Sequence, residues 1–132
     1  MISILVVDDH PAYGSAVVSF LRAEKDLVVV ALALDGEEAI ELAAAWQPSI
    51  VLMDLVLSGM SGLSATRRIL STSPGSRVII LSLQSGHHLM MEAMRAGAAG
   101  YVSKEQAPQH IVKAIREVDR GHRFFPAPVD LT

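Results

Sequence analysis

Ile2-Ser3-Ile4-Leu5-Val6-Val7-Asp8-Asp9 is the stretch on which the fold turns. Its apolar run reads as a strand buried on both faces, and such a strand should not end in carboxylates unless something holds them. The arrangement recurs at Ile50-Val51-Leu52-Met53, which gives Asp54. Two further runs end in other polar groups: Val78-Ile79-Ile80-Leu81 gives Ser82, and Tyr101-Val102-Ser103 gives Lys104. If these strands are parallel neighbours, their tips meet at one edge of the sheet. Three carboxylates, a hydroxyl and an ammonium gathered there suit divalent-metal and phosphoryl chemistry.

Outward from these runs the chain alternates short apolar segments with stretches of 3.6-residue period. Strands are expected near 2–8, 27–33, 49–54, 77–82 and 99–103, each followed by a helix. Pro11 suits the first turn of a helix near 11–24. Asp35 with Glu38 makes a capping-box-like entry to the helix near 36–46. The third helix, near 62–72, stops before Pro74-Gly75, and the fourth, near 86–96, at Gly97. The fifth, near 108–120, begins at Pro108, carries Ile111, Ala114, Ile115 and Val118 on one face, and ends at Gly121. Five βα units imply an α/β doubly wound five-stranded parallel sheet with right-handed crossovers and five helices. The reading gives one domain over 1–121, then an exit segment or start of a linker over 122–132.

Composition narrows the function classes. A chain of 132 residues fits one core, and 51% apolar residues with 19% charged is far from a disordered composition. Aromatics are few, so Val, Ile, Leu, Ala and Met must build the interior. With no cysteine there is no disulfide and no thiolate metal site. A formal charge of −3 leaves no basic footprint for nucleic acid. The N-terminus lacks the charged lead of a signal peptide, and no run approaches the ~20 apolar residues that span a bilayer. A cytoplasmic protein is the expectation.

In strand order 2-1-3-4-5 the ligand crevice lies between the carboxyl ends of strands 1 and 3. That places Asp8 and Asp9 opposite Asp54, with Ser82 and Lys104 next along. Two carboxylates about 4 Å apart repel by roughly 4 kcal/mol at an effective dielectric near 20. Either one stays protonated or a divalent ion binds. Oxygen-only ligands suit Mg²⁺, and His10 is expected to point away along the first helix. A hydroxyl and an ammonium beside the metal favour phosphoryl transfer to Asp54 as an acyl phosphate. Each motif is weak alone; the set, placed on four strands, is specific.

These residues resemble a known family. Val6-Val7-Asp8-Asp9-His10-Pro11, Met53-Asp54-Leu55, Gly59-Met60-Ser61-Gly62, Leu81-Ser82 and Ala96-Gly97-Ala98-Ala99-Gly100-Tyr101-Val102-Ser103-Lys104 look like the receiver domain of two-component response regulators, whose fold is flavodoxin-like (CheY-like). Asp-Asp-His-Pro and the ending Gly121-His122-Arg123-Phe124-Phe125-Pro126 resemble the NarL/FixJ subgroup, in which a LuxR-type helix-turn-helix domain usually follows. The resemblance implies that Asp54 accepts phosphate from a sensor histidine kinase. It implies Mg²⁺ on Asp8, Asp9, Asp54 and the backbone carbonyl of Val56. Ser82 and Tyr101 would be the switch residues and Lys104 the phosphoryl contact, altering the face made by helix 4, strand 5 and helix 5. Homodimerisation is expected, and DNA binding only through a further C-terminal domain.

Two departures from the family pattern stand out. Ser58 occupies a position where Pro is frequent, which predicts a looser loop. Val56 stands where a polar side chain is common and cannot position an attacking water, so slow hydrolysis of the acyl phosphate is expected unless Gln84 supplies that function. A free-standing receiver and an aspartyl-nucleophile phosphatase are the competing readings, with a never-phosphorylated dimerisation module behind them. Elsewhere, blander roles are expected. His87-His88 and Arg67-Arg68 read as exposed, Met90 and Met94 as core, Met91 as a partner-surface candidate, and Trp46 as a packing anchor. Gly97 and Gly100 read as backbone punctuation.

Overall fold

The computed structural model describes residues 1–84, 86–106 and 108–126. Its elements alternate as read: β1 (Ile2–Val7), α1 (Pro11–Arg22), β2 (Leu27–Ala33), α2 (Gly36–Trp46), β3 (Ile50–Asp54), α3 (Gly62–Thr72), β4 (Arg77–Ser82), α4 (His87–Arg95), β5 (Gly100–Ser103) and α5 (Pro108–Asp119). The strands form one parallel sheet in the order β2-β1-β3-β4-β5. The last six residues, 127–132, lie outside the described part, and so does that share of the expected exit segment.

Period-two alternation divides the core between the sheet's two faces. Leu5, Val7, Val51, Met53, Val78 and Ile80 face α2, α3 and α4, meeting Ala39, Ala43, Ala65, Ile69, Met90 and Ala93. Ile4, Val6, Ile50, Leu52, Ile79 and Leu81 face α1 and α5, meeting Val17, Leu21, Ile111 and Ile115. At the centre Ile50, Val51, Leu52 and Met53 are all fully buried. Their burial stabilises the sheet by about 2 kcal/mol each, and it fixes where Asp54 must emerge.

Local chemistry sets the helix ends. Asp35 Oδ1 accepts the Glu38 N–H at 2.8 Å, and Glu38 Oε1 in turn accepts the Leu34 N–H at 2.7 Å. Ser61 Oγ accepts the Ser64 N–H at 3.1 Å and starts α3. At Gly97 the backbone takes φ +99°, as the helix-ending reading required. Arg116 on α5 binds Glu24 and Asp26, each at 2.8 Å, and clamps α5 to the α1–β2 turn.

Three expectations change. Trp46 is no packing anchor: it is 57% exposed, because α2 packs on the sheet through Gly36, Ala39 and Ala43 and its last turn, Ala44 to Trp46, runs past that contact into the open. Met90 is buried, but Met94 is only half-buried. It shares with Met91, His87 and Phe125 a surface groove of about 300 Å³ rather than joining the interior. Beyond α5 the chain does not leave at once. Phe124 bridges Gly100, its N–H donating to the Ala99 carbonyl at 2.9 Å and its carbonyl accepting the Tyr101 N–H at 2.8 Å. His87, His88, Arg67 and Arg68 are exposed as read.

Candidate phosphoryl-acceptor and metal site

The topology carries the predicted tips to one edge. Asp54 pairs in register with Leu81, Ser82 with Ser103, and the Lys104 N–H donates to the Ser82 carbonyl at 2.8 Å. β1 stands on the other side of β3, so Asp8 and Asp9 face Asp54 across the point where strand order reverses. Asp8 and Asp54 are almost wholly buried, and Asp9 is partly so.

Lys104 reaches back into this crevice, its side chain only 7% exposed. Its Nζ donates to Asp8 Oδ2 at 2.8 Å, stands 3.3 Å from Asp54 Oδ1, and lies 4.4 Å from the centre of the Tyr13 ring. Burial alone would depress the ammonium's pKa, but the Asp8 hydrogen bond and the Asp54 charge outweigh it and the pKa rises. Burial pushes the Asp54 carboxyl up, the Asp8 charge adds to the rise, and Lys104 only partly opposes it. The Tyr13 hydroxyl is also pushed up, first by burial.

Two carboxylate oxygens here, Asp9 Oδ1 and Asp54 Oδ2, are buried with no hydrogen-bond donor. Unpaired buried oxygens of this kind are expensive. Oxygens from Asp8, Asp9 and Asp54 lie within 4.8 Å of one another. This donor set fits a hard divalent ion, and those two oxygens are the ones it would satisfy.

His10 departs from its expected direction. Instead of following α1, its ring turns over the acidic cluster, with Nδ1 at 3.0 Å from Asp9 Oδ1 and 3.3 Å from Asp8 Oδ1. The first contact makes no hydrogen bond, so Asp9 Oδ1 stays unpaired. The turn is local: Asp8 Oδ1 accepts the His10 backbone N–H at 2.8 Å and lies 3.3 Å from the ring Nδ1, which folds the side chain back over the cluster.

Ser58 also behaves otherwise than expected. Its N–H and its hydroxyl both donate to Asp9 Oδ2, at 3.1 and 2.9 Å. A Pro could make neither bond, so the β3–α3 loop is tied to the turn after β1 by the residue expected to loosen it. Val56 donates its N–H to Asp54 Oδ1 at 3.3 Å while its side chain stands 58% exposed.

Ser82 Oγ accepts the Gln84 N–H at 2.9 Å, and the Tyr101 hydroxyl donates to the Gln84 carbonyl at 2.9 Å. The Tyr101 ring is buried, and burial raises its hydroxyl pKa. Gly62 is a residue whose role the spacing did not disclose. A Cβ there would strike the Asp54 carbonyl oxygen, and its N–H donates to the Leu55 carbonyl at 2.9 Å. Only the motif Gly59-Met60-Ser61-Gly62 hinted at it.

Fold and crevice together define a flavodoxin-like α/β protein with an acidic, lysine-backed pocket at the switch point of its sheet. Residues 4–116 match the response regulator receiver domain, and the chain belongs to that family. It is similar to the response regulator UvrY of Escherichia coli O6:H1, 38% identical over 129 residues, covering 98% of this chain and 59% of UvrY. It is also similar to the response regulator GacA of Pseudomonas aeruginosa, 37% identical over 125 residues, covering 95% of this chain and 58% of GacA. The chain thus spans less than two thirds of the length of these relatives. The crystal structure of a LuxR-family two-component response regulator from Aurantimonas sp. SI85-9A1 superposes with TM-score 0.89 at 36% identity, over 92% of this chain and 87% of that one. The receiver domain of the putative regulator NarL from Mycobacterium tuberculosis gives 0.87 at 31% identity, over 92% and 98%. The fold and the subgroup resemblance both hold. Among the described residues no helix is long and apolar enough to cross a membrane.

Proposed function

We propose that Asp54 accepts a phosphoryl group from the phosphohistidine of a sensor histidine kinase, with Mg²⁺ held by Asp8, Asp9, Asp54 and the Val56 backbone carbonyl. The observation that carries this is the pair of donorless oxygens, Asp9 Oδ1 and Asp54 Oδ2, in the crevice that also holds Lys104. An Asp54 oxygen forms the new P–O bond as the donor's P–N bond breaks, and the leaving imidazole takes the electron pair. When bound, the ion neutralises charge on the transferring phosphoryl oxygens. Lys104, held by Asp8, neutralises the remainder from the β5 side.

Ser82 accepts from Gln84, so its own hydroxyl proton remains for a phosphoryl oxygen. Moving Ser82 toward that oxygen tugs the Gln84 backbone, whose carbonyl holds the Tyr101 hydroxyl. Ser82 and Tyr101 therefore act as one switch joined through a single residue, Gln84. The acyl phosphate adds about −1.5 to −2 charges to an acidic site, by analogy with other phosphoryl modifications, which biases an existing equilibrium.

The chain is then the receiver portion of a longer, cytoplasmic LuxR-type transcription regulator, which dimerises and meets DNA through another domain. Its similarity to LuxR-family regulators and its share of their length support this. The test is incubation with acetyl phosphate, followed by mass measurement. Wild type should gain one phosphoryl group with Mg²⁺ and none with chelator, and Asp54→Asn none. A gain that survives Asp54→Asn would overturn the assignment.

A further inference from the structure

The receiver reading gives no task to the sulfur-rich face of α4. His87, Met90, Met91 and Met94 stand at i, i+3, i+4 and i+7, so one stripe of the helix carries an imidazole and the thioethers together. All of them line the groove of about 300 Å³ that Arg123, Phe125 and Pro126 bound from the other side. Met90 lies deepest, at 6% exposed, while Met91 and Met94 are half-buried and His87 is exposed. Met91 and Met94 are therefore neither core residues nor free surface side chains.

The donor atoms select the ion. Among the described residues, the side chains lining this groove offer thioether sulfur and imidazole nitrogen, and no carboxylate. Hard cations such as Mg²⁺ require oxygen, whereas Cu⁺ favours soft thioether ligands and accepts imidazole. Three rotatable bonds let each methionine bring its sulfur to a shared point. The helix also gains from such a bridge. It is 9 residues long, its N-cap Gly86 makes no side-chain hydrogen bond, and its first turn holds no acidic residue. A ligand joining i, i+4 and i+7 fastens both of its turns. Arg123 is the charge on the groove wall that opposes a cation. Its side chain is exposed and lies over Phe125, 5.5 Å from the ring centre, so it can swing clear.

We propose that His87, Met91 and Met94 form a site for one soft monovalent cation, Cu⁺, with Ag⁺ as its redox-inert analogue. The site is separate from the aspartyl crevice and independent of its metal.

The experiment is nuclear magnetic resonance of the chain carrying methyl-labelled methionine, titrated with Ag⁺ in chloride-free buffer and then with Cu⁺ under argon. The Met91 and Met94 methyl signals should shift together at one equivalent. Met1, 84% exposed, is the internal control for a lone thioether and should not move at that point. Met91→Leu, Met94→Leu and His87→Gln should each weaken Ag⁺ at least about tenfold, and Leu for Met keeps the volume so that the fold survives. Arg123→Gln should tighten it about twofold or more by removing a like charge. Asp54→Asn should leave it unchanged. Simultaneous shifts of Met1 and Met91 would overturn the proposal, leaving adventitious thioether binding only. Undiminished affinity in the leucine variants, loss of affinity in Asp54→Asn, or silence of wild type toward both ions would overturn it as well. The wild-type spectrum decides alone if a variant fails to fold.

Discussion

Asp54 is held at odds with its surroundings. Its pKa is raised by burial first and by Asp8 second, so the folded state binds its proton more tightly than the unfolded chain does. The sign follows: its contribution to stability is fully present below the unfolded value of 3.8 and is lost as pH rises through the folded value. Asp54→Asn should therefore raise the Tm of the metal-free protein at neutral pH and change it little below pH 3.8. Thermal melts at both pH values check this; equal gains at both would refute it. Val56 is a second residue with a kinetic signature. Its exposed isopropyl group sits two residues past Asp54 and cannot orient water. Val56→Asn should shorten the acyl-phosphate lifetime by roughly tenfold, short of the ~10²–10⁴ of a group that itself transfers the proton, because an amide only orients the water. Phosphoryl decay followed by mass measures it, and an unchanged lifetime would shift attention to Gln84.

Among the elements, α3 depends most on one absent side chain. Its first residue, Gly62, touches the backbone of Asp54 and Leu55 so closely that any Cβ must push the helix away. Gly62→Ala should destabilise by about 1–3 kcal/mol in urea denaturation, the usual cost of overpacking, and slow phosphorylation by acetyl phosphate. Full stability would show that α3 can withdraw freely. The strands were legible because central parallel strands are apolar on both faces: Ile50 to Met53 could hardly be anything else, and their polar tips then follow from topology. Contacts depending on rotamer or loop path were not. Whether His10 follows its helix or turns over the carboxylates depends on the rotamer that the Asp8 Oδ1 contact selects. Ser58 looked like a missing Pro, and its two bonds to Asp9 join residues 49 positions apart. Trp46 suggested burial by size alone, but it stands in the last turn of α2, beyond the part that meets the sheet.

For the molecule as a whole, the acidic crevice is a built-in instability that a ligand can relieve. Anything binding the folded state alone stabilises by RT ln(1 + [L]/Kd), about 1.4 kcal/mol at ten times Kd. Mg²⁺ should accordingly raise the Tm of wild type by several degrees and that of Asp54→Asn by less. Melts across a magnesium series test this, and identical shifts in both proteins would mean that Asp54 is not a ligand.

The Tyr101 peptide faces two ways: its side chain is secured to the loop after β4, and its N–H to the Phe124 carbonyl. A displacement of β5 at the phosphorylation end is therefore felt at Phe124 without passing through any helix. The two ends of this edge strand are thereby geared together, so that a pull at its polar tip is registered at its start.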